Sequence, residues 1–272
     1  MRSIKYLILI FVICLYGCSE QYTNPPSQDS VENQLIQVSK EDFSTEDIPK
    51  YDYYAKQGWT LTFQDEFDDL EVSSKKWNKL NSGYKDHGRK HHYLPEQVSS
   101  SSGTLKLQVD NKPFQSYPYR SGAVTTQGLH EQLYGKFEIR AKLPVGQGLL
   151  PAIWLLPTNH AAFPEIDIVE MLGQLPNEIW HVGHSGPGKR EYQVTNINGS
   201  QWHLYTLDWT KEEIIFSIDE IERFKIKNFA NTSMYLLMNV TVGGVWVGDP
   251  DKETKFPSYM EVDYVRIYSK NN

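Results

Sequence analysis

Cysteine is almost absent from this chain of 272 residues, which contains only Cys14 and Cys18. Because no cysteine follows Cys18, the remainder of the chain cannot form an internal disulfide. Runs of basic residues are also missing, and 27 Lys and Arg against 34 Asp and Glu leave a formal charge of −7. A polyanionic partner such as nucleic acid is therefore not expected.

Long apolar runs are missing apart from residues 6–16, which follow Arg2 and Lys5. A helix of that length rises about 16 Å, too little for a hydrocarbon core of about 30 Å, so a transmembrane anchor is the weaker alternative. The pattern predicts a secretory signal over residues 1–17. Residues 15–18 resemble a bacterial lipoprotein box, which implies lipidation of Cys18, attachment to a lipid membrane, and an outer-membrane or cell-surface location.

Residues 18–57 have little hydrophobic periodicity and are rich in Gln, Ser, Asn and Asp, with the pair Pro25-Pro26. Such a composition cannot bury much apolar surface, so we predict a flexible tether. No repeat or second linker follows, and we expect one folded domain over residues 58–269, acting as a monomer.

Helical periodicity is absent from this domain, whereas apolar and polar residues alternate in many short segments. The segments are rich in Val, Ile, Tyr, Phe and Thr and are separated by turn residues, which is typical of strands. About a dozen strands in about 210 residues predict an all-β sandwich or closed barrel, the sandwich being favoured. The clearest segments are 59–63, 105–109, 137–143, 203–209, 214–218, 223–226, 235–242 and 260–268.

An acidic strand at residues 165–170 breaks the regular alternation. Glu165 and Asp167 share a face, but Glu170 lies at an odd offset and would point inward in a regular strand. One extra residue, a β-bulge, would return Glu170 to the face of the other two acids. Three acids on one strand face repel one another, which favours function over a merely solvated face.

Paired carboxylates are the usual machinery of glycoside hydrolysis, in which retaining enzymes hold them about 5–5.5 Å apart. Asp167, lying between the glutamates, would help to separate their pKa values. The alternatives are a solvated polar face and a site for a hard cation such as calcium.

Several segments resemble glycoside hydrolase family 16, the laminarinase-like endo-β-glycanases. The resemblance rests on the acidic strand, and on motifs that follow one another in order along the domain: 59–67, 121–126, 134–144, 151–157, 239–246 and 262–268.

This resemblance implies a concanavalin-like jelly roll with a cleft on a concave sheet, and retaining double displacement. It implies that Glu165 is the nucleophile, that Glu170 is the acid and base, and that Asp167 assists them. No catalytic cofactor is implied. A structural calcium is common in the family, and the residues that match its ligands are Glu66, Gly103 and Asp263.

The same resemblance suggests substrate-binding residues, each of which has packing or a surface role as its alternative. Aromatic faces suit sugars because sugar C–H faces are apolar. The candidates are Trp154, His184, Trp246, Asn239, Arg120 and Tyr93.

The sequence departs from the laminarinase pattern beside the expected cleft, since residues 83–93 form a basic, His-rich segment without the Asn-Asn-Glu of many laminarinases. Pro164 also replaces a common Gly, and Asp219-Glu220 replaces the Asp-Gly of a hairpin turn. We expect an endo-β-glycanase acting on β-1,3- or mixed-linkage β-1,3/1,4-glucan. The alternatives are a β-galactan of the agar, porphyran, carrageenan or host-glycan type, a non-catalytic carbohydrate-binding lipoprotein, and a calcium-dependent adhesin.

Overall fold

A computed structural model describes residues 55, 57–68, 73–83 and 85–271. The predicted signal, Cys18 and nearly all of the predicted tether lie outside the described residues. Within the described part, no helix has the length and apolar character needed to cross a membrane.

The described residues form eighteen strands and two short 3₁₀-helices. The helices are Asp86–Gly88 and Pro95–Gln97. The strands are β1 Trp59–Asp65, β2 Asn78–Lys79, β3 Ser82–Gly83, β4 His91–Tyr93, β5 Val98–Ser101, β6 Thr104–Asp110, β7 Tyr119–Ser121, β8 Ala123–Thr125, β9 Gly135–Lys142, β10 Leu149–Pro157, β11 Glu165–Met171, β12 Glu178–Gly186, β13 Lys189–Asn196, β14 His203–Trp209, β15 Glu213–Ile218, β16 Ile221–Lys227, β17 Met234–Val242 and β18 Ser258–Lys270.

The strands form an 11-stranded and a 7-stranded sheet. The larger sheet runs β16-β15-β14-β9-β18-β6-β7-β4-β3, with β1 beside β18 and β5 beside β6, and the smaller runs β13-β12-β11-β10-β17-β8-β2. One hydrophobic core contains buried side chains from both sheets. The expected all-β sandwich is confirmed. We call the face of the smaller sheet that carries Glu165 the site face.

The alternation seen in the sequence explains which side chains enter the core. On β9, Phe137, Ile139 and Ala141 are at most 1% exposed, while Lys136, Arg140 and Lys142 on the other face are half-buried and Glu138 on that face is 1% exposed. On β17 all nine residues are buried. The site face of β17 is therefore covered by neighbouring side chains, whereas one face of β9 meets solvent.

The number of strands exceeds the expected dozen because six strands have only two to four residues. These strands, β2, β3, β4, β5, β7 and β8, are too short to show a period of two. In the β15–β16 turn, Asp219 and Glu220 have positive φ values of 52° and 66°, a conformation that glycine adopts more readily. Asp219 compensates by accepting a hydrogen bond from the Leu204 backbone N–H at 2.9 Å.

Candidate active site

The predicted bulge is present in β11 and places the three acids on the site face. Between Asp167 and Glu170, β11 advances three residues while β12 advances two. Ile168 and Val169 are both 0% exposed, so two consecutive side chains enter the core. Glu165, Asp167 and Glu170 consequently lie on the opposite face, which confirms the strand geometry inferred from the sequence.

His184 completes this cluster from the neighbouring strand β12, where it lies directly opposite Glu165. Its Nε2 is 3.2 Å from Asp167 Oδ2 and 3.9 Å from Glu165 Oε1. The structure therefore brings the predicted cleft histidine together with the three predicted catalytic acids. The ligand atoms of Glu165, Asp167 and His184 all lie within 4.8 Å of one another.

The three carboxyl groups bind protons more tightly than ordinary acids. Burial raises the pKa of Asp167 to about 8. Burial, together with the charge of Asp167, raises the pKa of Glu170 to about 8. Burial and Asp167 also raise the pKa of Glu165 well above its usual range. Because a hydrogen bond between the Glu165 and Asp167 carboxyls requires a shared proton, the pair can carry one negative charge at neutral pH.

A chain of hydrogen bonds crosses the site face beside these acids. Trp154 Nε1 donates to Asn239 Oδ1 at 2.7 Å, and Asn239 Nδ2 donates to Thr241 Oγ1 at 3.3 Å. Tyr93 Oη and Thr241 Oγ1 are 3.1 Å apart. Trp154 lies opposite Asp167 across the β10–β11 pair. Three predicted binding residues, Trp154, Asn239 and Tyr93, are thus connected to one another and to the acidic strand.

His91 supports this chain and was missed in the sequence analysis. The ring of His91 meets that of Tyr93 edge-on at 4.4 Å, and His91 Nδ1 accepts a hydrogen bond from the Val242 N–H at 3.0 Å. Burial lowers the pKa of His91 to about 3, so the ring is neutral. A histidine in a basic segment gives no sequence signal that distinguishes this buried support from a surface residue.

An apolar patch adjoins Trp154 on the site face. Leu156, Tyr235 and Leu237 form a small buried cluster against which Trp154 packs. The acids therefore border an apolar floor as well as polar groups, which is the composition expected of a sugar-binding cleft.

Trp246 lies on residues 243–248, which we call the Trp246 loop. It is 45% exposed and meets Trp180 edge-on at 5.4 Å. The Val245 N–H donates to the His87 carbonyl at 2.8 Å, so this loop is joined to the basic 83–93 segment. Trp180 lies opposite Glu170, which places the predicted binding residue Trp246 at the Glu170 end of the cluster.

Arg120 lies in the larger sheet, on β7, where its guanidinium forms an ion pair with Asp110. Arg120 Nε donates to Asp110 Oδ1 at 3.0 Å and Nη2 donates to Oδ2 at 2.5 Å. This ion pair gives Arg120 a structural role, and its predicted contact with substrate stays a prediction.

The predicted calcium ligands are largely engaged by arginines. Both carboxylate oxygens of Glu66 accept hydrogen bonds from Arg266 at 2.8 Å, and Asp263 Oδ2 accepts one from Arg140 at 2.6 Å. A Cβ added at Gly103 would lie 2.8 Å from Asp68 Oδ1. Oxygen atoms that could bind calcium lie close to Gly103. Both predicted carboxylate ligands, however, accept hydrogen bonds from arginines, so calcium binding stays a prediction.

Three exposed or half-exposed side chains beside the acids were also missed: Trp180, Arg190 and Tyr192. Trp180 and Tyr192 stack at 5.4 Å with an interplanar angle of 24°. The first five residues of β13 are all exposed, so this edge strand lacks the alternation that marks a half-buried strand. The closeness of Trp180 to Tyr192 depends on strand pairing and cannot be read from the sequence.

Comparison with known proteins agrees with this geometry. The family model described as glycosyl hydrolases family 16 matches residues 86–266. The "Beta-glucanase" of Rhodothermus marinus is 30% identical over 249 residues, covering 77% of this chain and 85% of that protein. The "Endo-1,3-1,4-beta-glycanase EglC" of Rhizobium meliloti is 32% identical over 254 residues, covering 86% of this chain but only 52% of the relative.

Two further similarities bear on fold and substrate. The laminarinase catalytic domain from Thermotoga maritima superposes with a TM-score of 0.74 at 28% identity, covering 79% of this chain and 99% of that domain. The "Keratan-sulfate endo-1,4-beta-galactosidase" of Sphingobacterium multivorum is 26% identical over 301 residues, covering 98% of this chain and 68% of the relative.

Proposed function

We propose that this chain, which belongs to glycosyl hydrolases family 16, hydrolyses internal linkages of β-1,3- or mixed-linkage β-1,3/1,4-glucan. The family comprises O-glycosyl hydrolases that retain anomeric configuration, and its fold is the jelly roll. The observation that carries the proposal is the bulge in β11, which presents Glu165, Asp167 and Glu170 together beside His184.

In the first step a Glu165 carboxylate oxygen attacks the anomeric carbon while the bond to the leaving oxygen breaks. Glu170, whose pKa burial raises to about 8, gives its proton to that oxygen. The products are a glycosyl ester on Glu165 and a shortened glucan with a free hydroxyl. The proton shared between Glu165 and Asp167 can move onto Asp167, which leaves Glu165 ionised for the attack.

In the second step water replaces the first leaving group. Glu170, now ionised, takes a proton from water, and the hydroxide oxygen attacks the anomeric carbon and releases Glu165. Two displacements at the same carbon restore the original configuration. The cycle needs only carboxyl groups and water, so no catalytic cofactor is required.

Replacing Glu165 tests the nucleophile. Glu165→Gln should lower the rate of glucan hydrolysis at least about 10⁴-fold, because an amide cannot form the glycosyl ester. Reducing-end assays on laminarin and barley β-glucan measure the loss. Glu191→Gln, at an exposed position of β13, is the matched control and should keep wild-type activity. Cleavage by the Glu165 variant would show that another group is the nucleophile.

Glu170 is tested separately with azide. Glu170→Gln should form the glycosyl ester from an aryl oligosaccharide whose leaving group needs no proton, and azide should then release it as a β-glycosyl azide. Azide should not restore turnover to Glu165→Gln. An azide product of inverted configuration would contradict the two-step scheme.

A β-galactan is the second candidate substrate. It is supported by the similarity to the keratan-sulfate endo-β-galactosidase along 98% of this chain, and by the basic 83–93 segment at the cleft. Chromatography of products from laminarin, barley β-glucan, agarose, carrageenan, keratan sulfate and mucin decides between the two.

We also propose that Cys18 is lipidated and that the mature enzyme is held at the bacterial cell surface.

A further inference from the structure

A row of side chains leads from the catalytic acids to the outer strand of the site face. Glu165 lies opposite His184 on β12, and His184 lies opposite Arg190 on β13. Directly opposite side chains in an antiparallel sheet share a face, with Cβ atoms about 4.5–5.5 Å apart. Arg190 therefore projects from the same face as Glu165, two strands away.

Aromatic side chains surround this row. Tyr192 stacks on Trp180 at 5.4 Å, and Trp246 meets the edge of Trp180 at 5.4 Å. Tyr192 is 50% exposed and Trp246 is 45% exposed. We call Trp180, His184, Arg190 and Tyr192 the β12–β13 flank. Adjacent exposed aromatic faces beside a catalytic centre are suited to the apolar C–H face of a sugar ring.

Arg190 differs from three arginines of the larger sheet and its edges. Arg120, Arg140 and Arg266 each pair with a carboxylate. Over the described part of the chain, no carboxylate pairs with the exposed Arg190, whose guanidinium lies 5.5 Å from the Tyr192 ring centroid. A guanidinium resting on an aromatic ring with its N–H fork open is arranged to bind an oxyanion through two hydrogen bonds.

A second cation strengthens the positive field at this end of the cleft. Arg89, on the basic 83–93 segment, and Arg190 both act electrostatically on the Glu170 carboxyl. The segment carrying Arg89 is joined to the Trp246 loop by the bond from Val245 to His87. Arg89 also lies 3.9 Å from the carboxylate of Asp86, so Arg190 is the cation of this pair without a carboxylate partner among the described residues. Together the two arginines give an acidic chain a local positive field at Glu170, which favours anionic ligands there.

We propose that the β12–β13 flank is a subsite for a sugar that carries an anionic substituent, either a sulfate ester or a carboxylate. The sugar ring lies on Trp180 and Tyr192, and the Arg190 fork binds the substituent. The inference rests on the proposed endo-β-glycanase function and deepens it: among chains that this site can cleave, one with anionic groups beside the cleaved linkage is preferred over the neutral glucan.

Binding is measured in the inactive background, so that hydrolysis does not consume the probe. Affinity electrophoresis compares Glu165→Gln with the double variant Glu165→Gln/Arg190→Gln in gels containing laminarin, laminarin sulfate or carboxymethyl laminarin. Glu165→Gln should bind at least one charged polymer roughly tenfold more tightly than laminarin, and the second substitution should remove that preference. The two charged polymers distinguish sulfate from carboxylate recognition.

Lys189→Gln in the same background is the control. It removes one positive charge from the neighbouring β13 position, whose side chain points to the opposite face, and should preserve the preference. If Lys189→Gln and Arg190→Gln lowered the preference for charged polymers equally, the preference would follow from net charge alone. That result would overturn the subsite.

Kinetic measurements separate the flank subsite from the glycanase function on which it rests. The ratio of kcat/KM for laminarin sulfate to that for laminarin should fall roughly tenfold in Arg190→Gln, mainly through KM. Cleavage of laminarin with no preference for a charged polymer overturns the flank subsite and leaves the glycanase function standing. If no polymer, keratan sulfate included, is either cleaved or retained in the gel, the flank subsite and the glycanase function are both overturned.

Discussion

Glu170 shows how the proposed catalytic role of one residue is coupled to a cost in stability. The bulge turns its side chain out of the core, yet burial within the cleft raises its pKa to about 8. A proton therefore remains available for the leaving oxygen at neutral pH, as a general acid requires. The same environment disfavours the ionised carboxylate that appears as pH rises.

Because burial disfavours the ionised form of Glu170, Glu170→Gln should be more stable than the wild type, and by more at higher pH. The folded pKa lies above the unfolded one, so the native state holds more protons, and the free energy of unfolding falls as pH rises from about 5 to about 8. The variant should exceed the wild type by at least about 1 kcal/mol near pH 8, with a smaller difference near pH 5. Urea denaturation at both pH values measures this, and Glu191→Gln should follow the wild type. A constant difference would show that the carboxyl charge is not responsible.

At the scale of elements, loops at the end of the smaller sheet are held by close backbone contacts. Gly148 precedes β10, has a φ of +81°, and accepts a hydrogen bond from the Gly243 N–H at 2.9 Å. A Cβ at Gly148 would lie 2.2 Å from Pro250 N. The start of the Trp246 loop therefore depends on the absence of a side chain at this position.

Gly148→Ala should consequently destabilise the protein by more than about 2 kcal/mol and raise KM, because the backbone at Pro250 must move. Gly188→Ala is the control in the β12–β13 turn, where φ is +67° but no atom lies within 4 Å of the added Cβ. It should cost about 1–2 kcal/mol, from backbone strain alone. Equal losses from the two substitutions in chemical denaturation would contradict the steric explanation.

At the scale of the whole molecule, the proposed enzyme joins an acidic sandwich to a predicted N-terminal export segment. The formal charge of −7 disfavours anionic polymers at long range. Two arginines near Glu170 reverse that effect only locally, so salt should weaken a preference for charged chains.

The proposed lipid attachment is tested on the full chain. Cys18→Ser should move the protein from the membrane fraction to the soluble fraction and abolish incorporation of labelled palmitate, because a hydroxyl is not the acyl acceptor of the lipoprotein box. Cys14→Ser, within the apolar segment, is the matched control and should leave both unchanged. Membrane retention of the Cys18 variant would contradict the proposed anchor.

The sequence by itself determined the strands that alternate clearly, such as β9 and β14, together with the bulge and the acids. Strand β14 coincides with the predicted 203–209, and the odd spacing of Glu170 requires an extra residue because side chains alternate strictly in strands. Only tertiary structure decided the neighbours of the acids. His184 reaches Asp167, and Tyr192 reaches Trp180, through the pairing of strands. Alternation along one strand specifies a face, whereas strand order and register, which long-range packing sets, specify what shares that face.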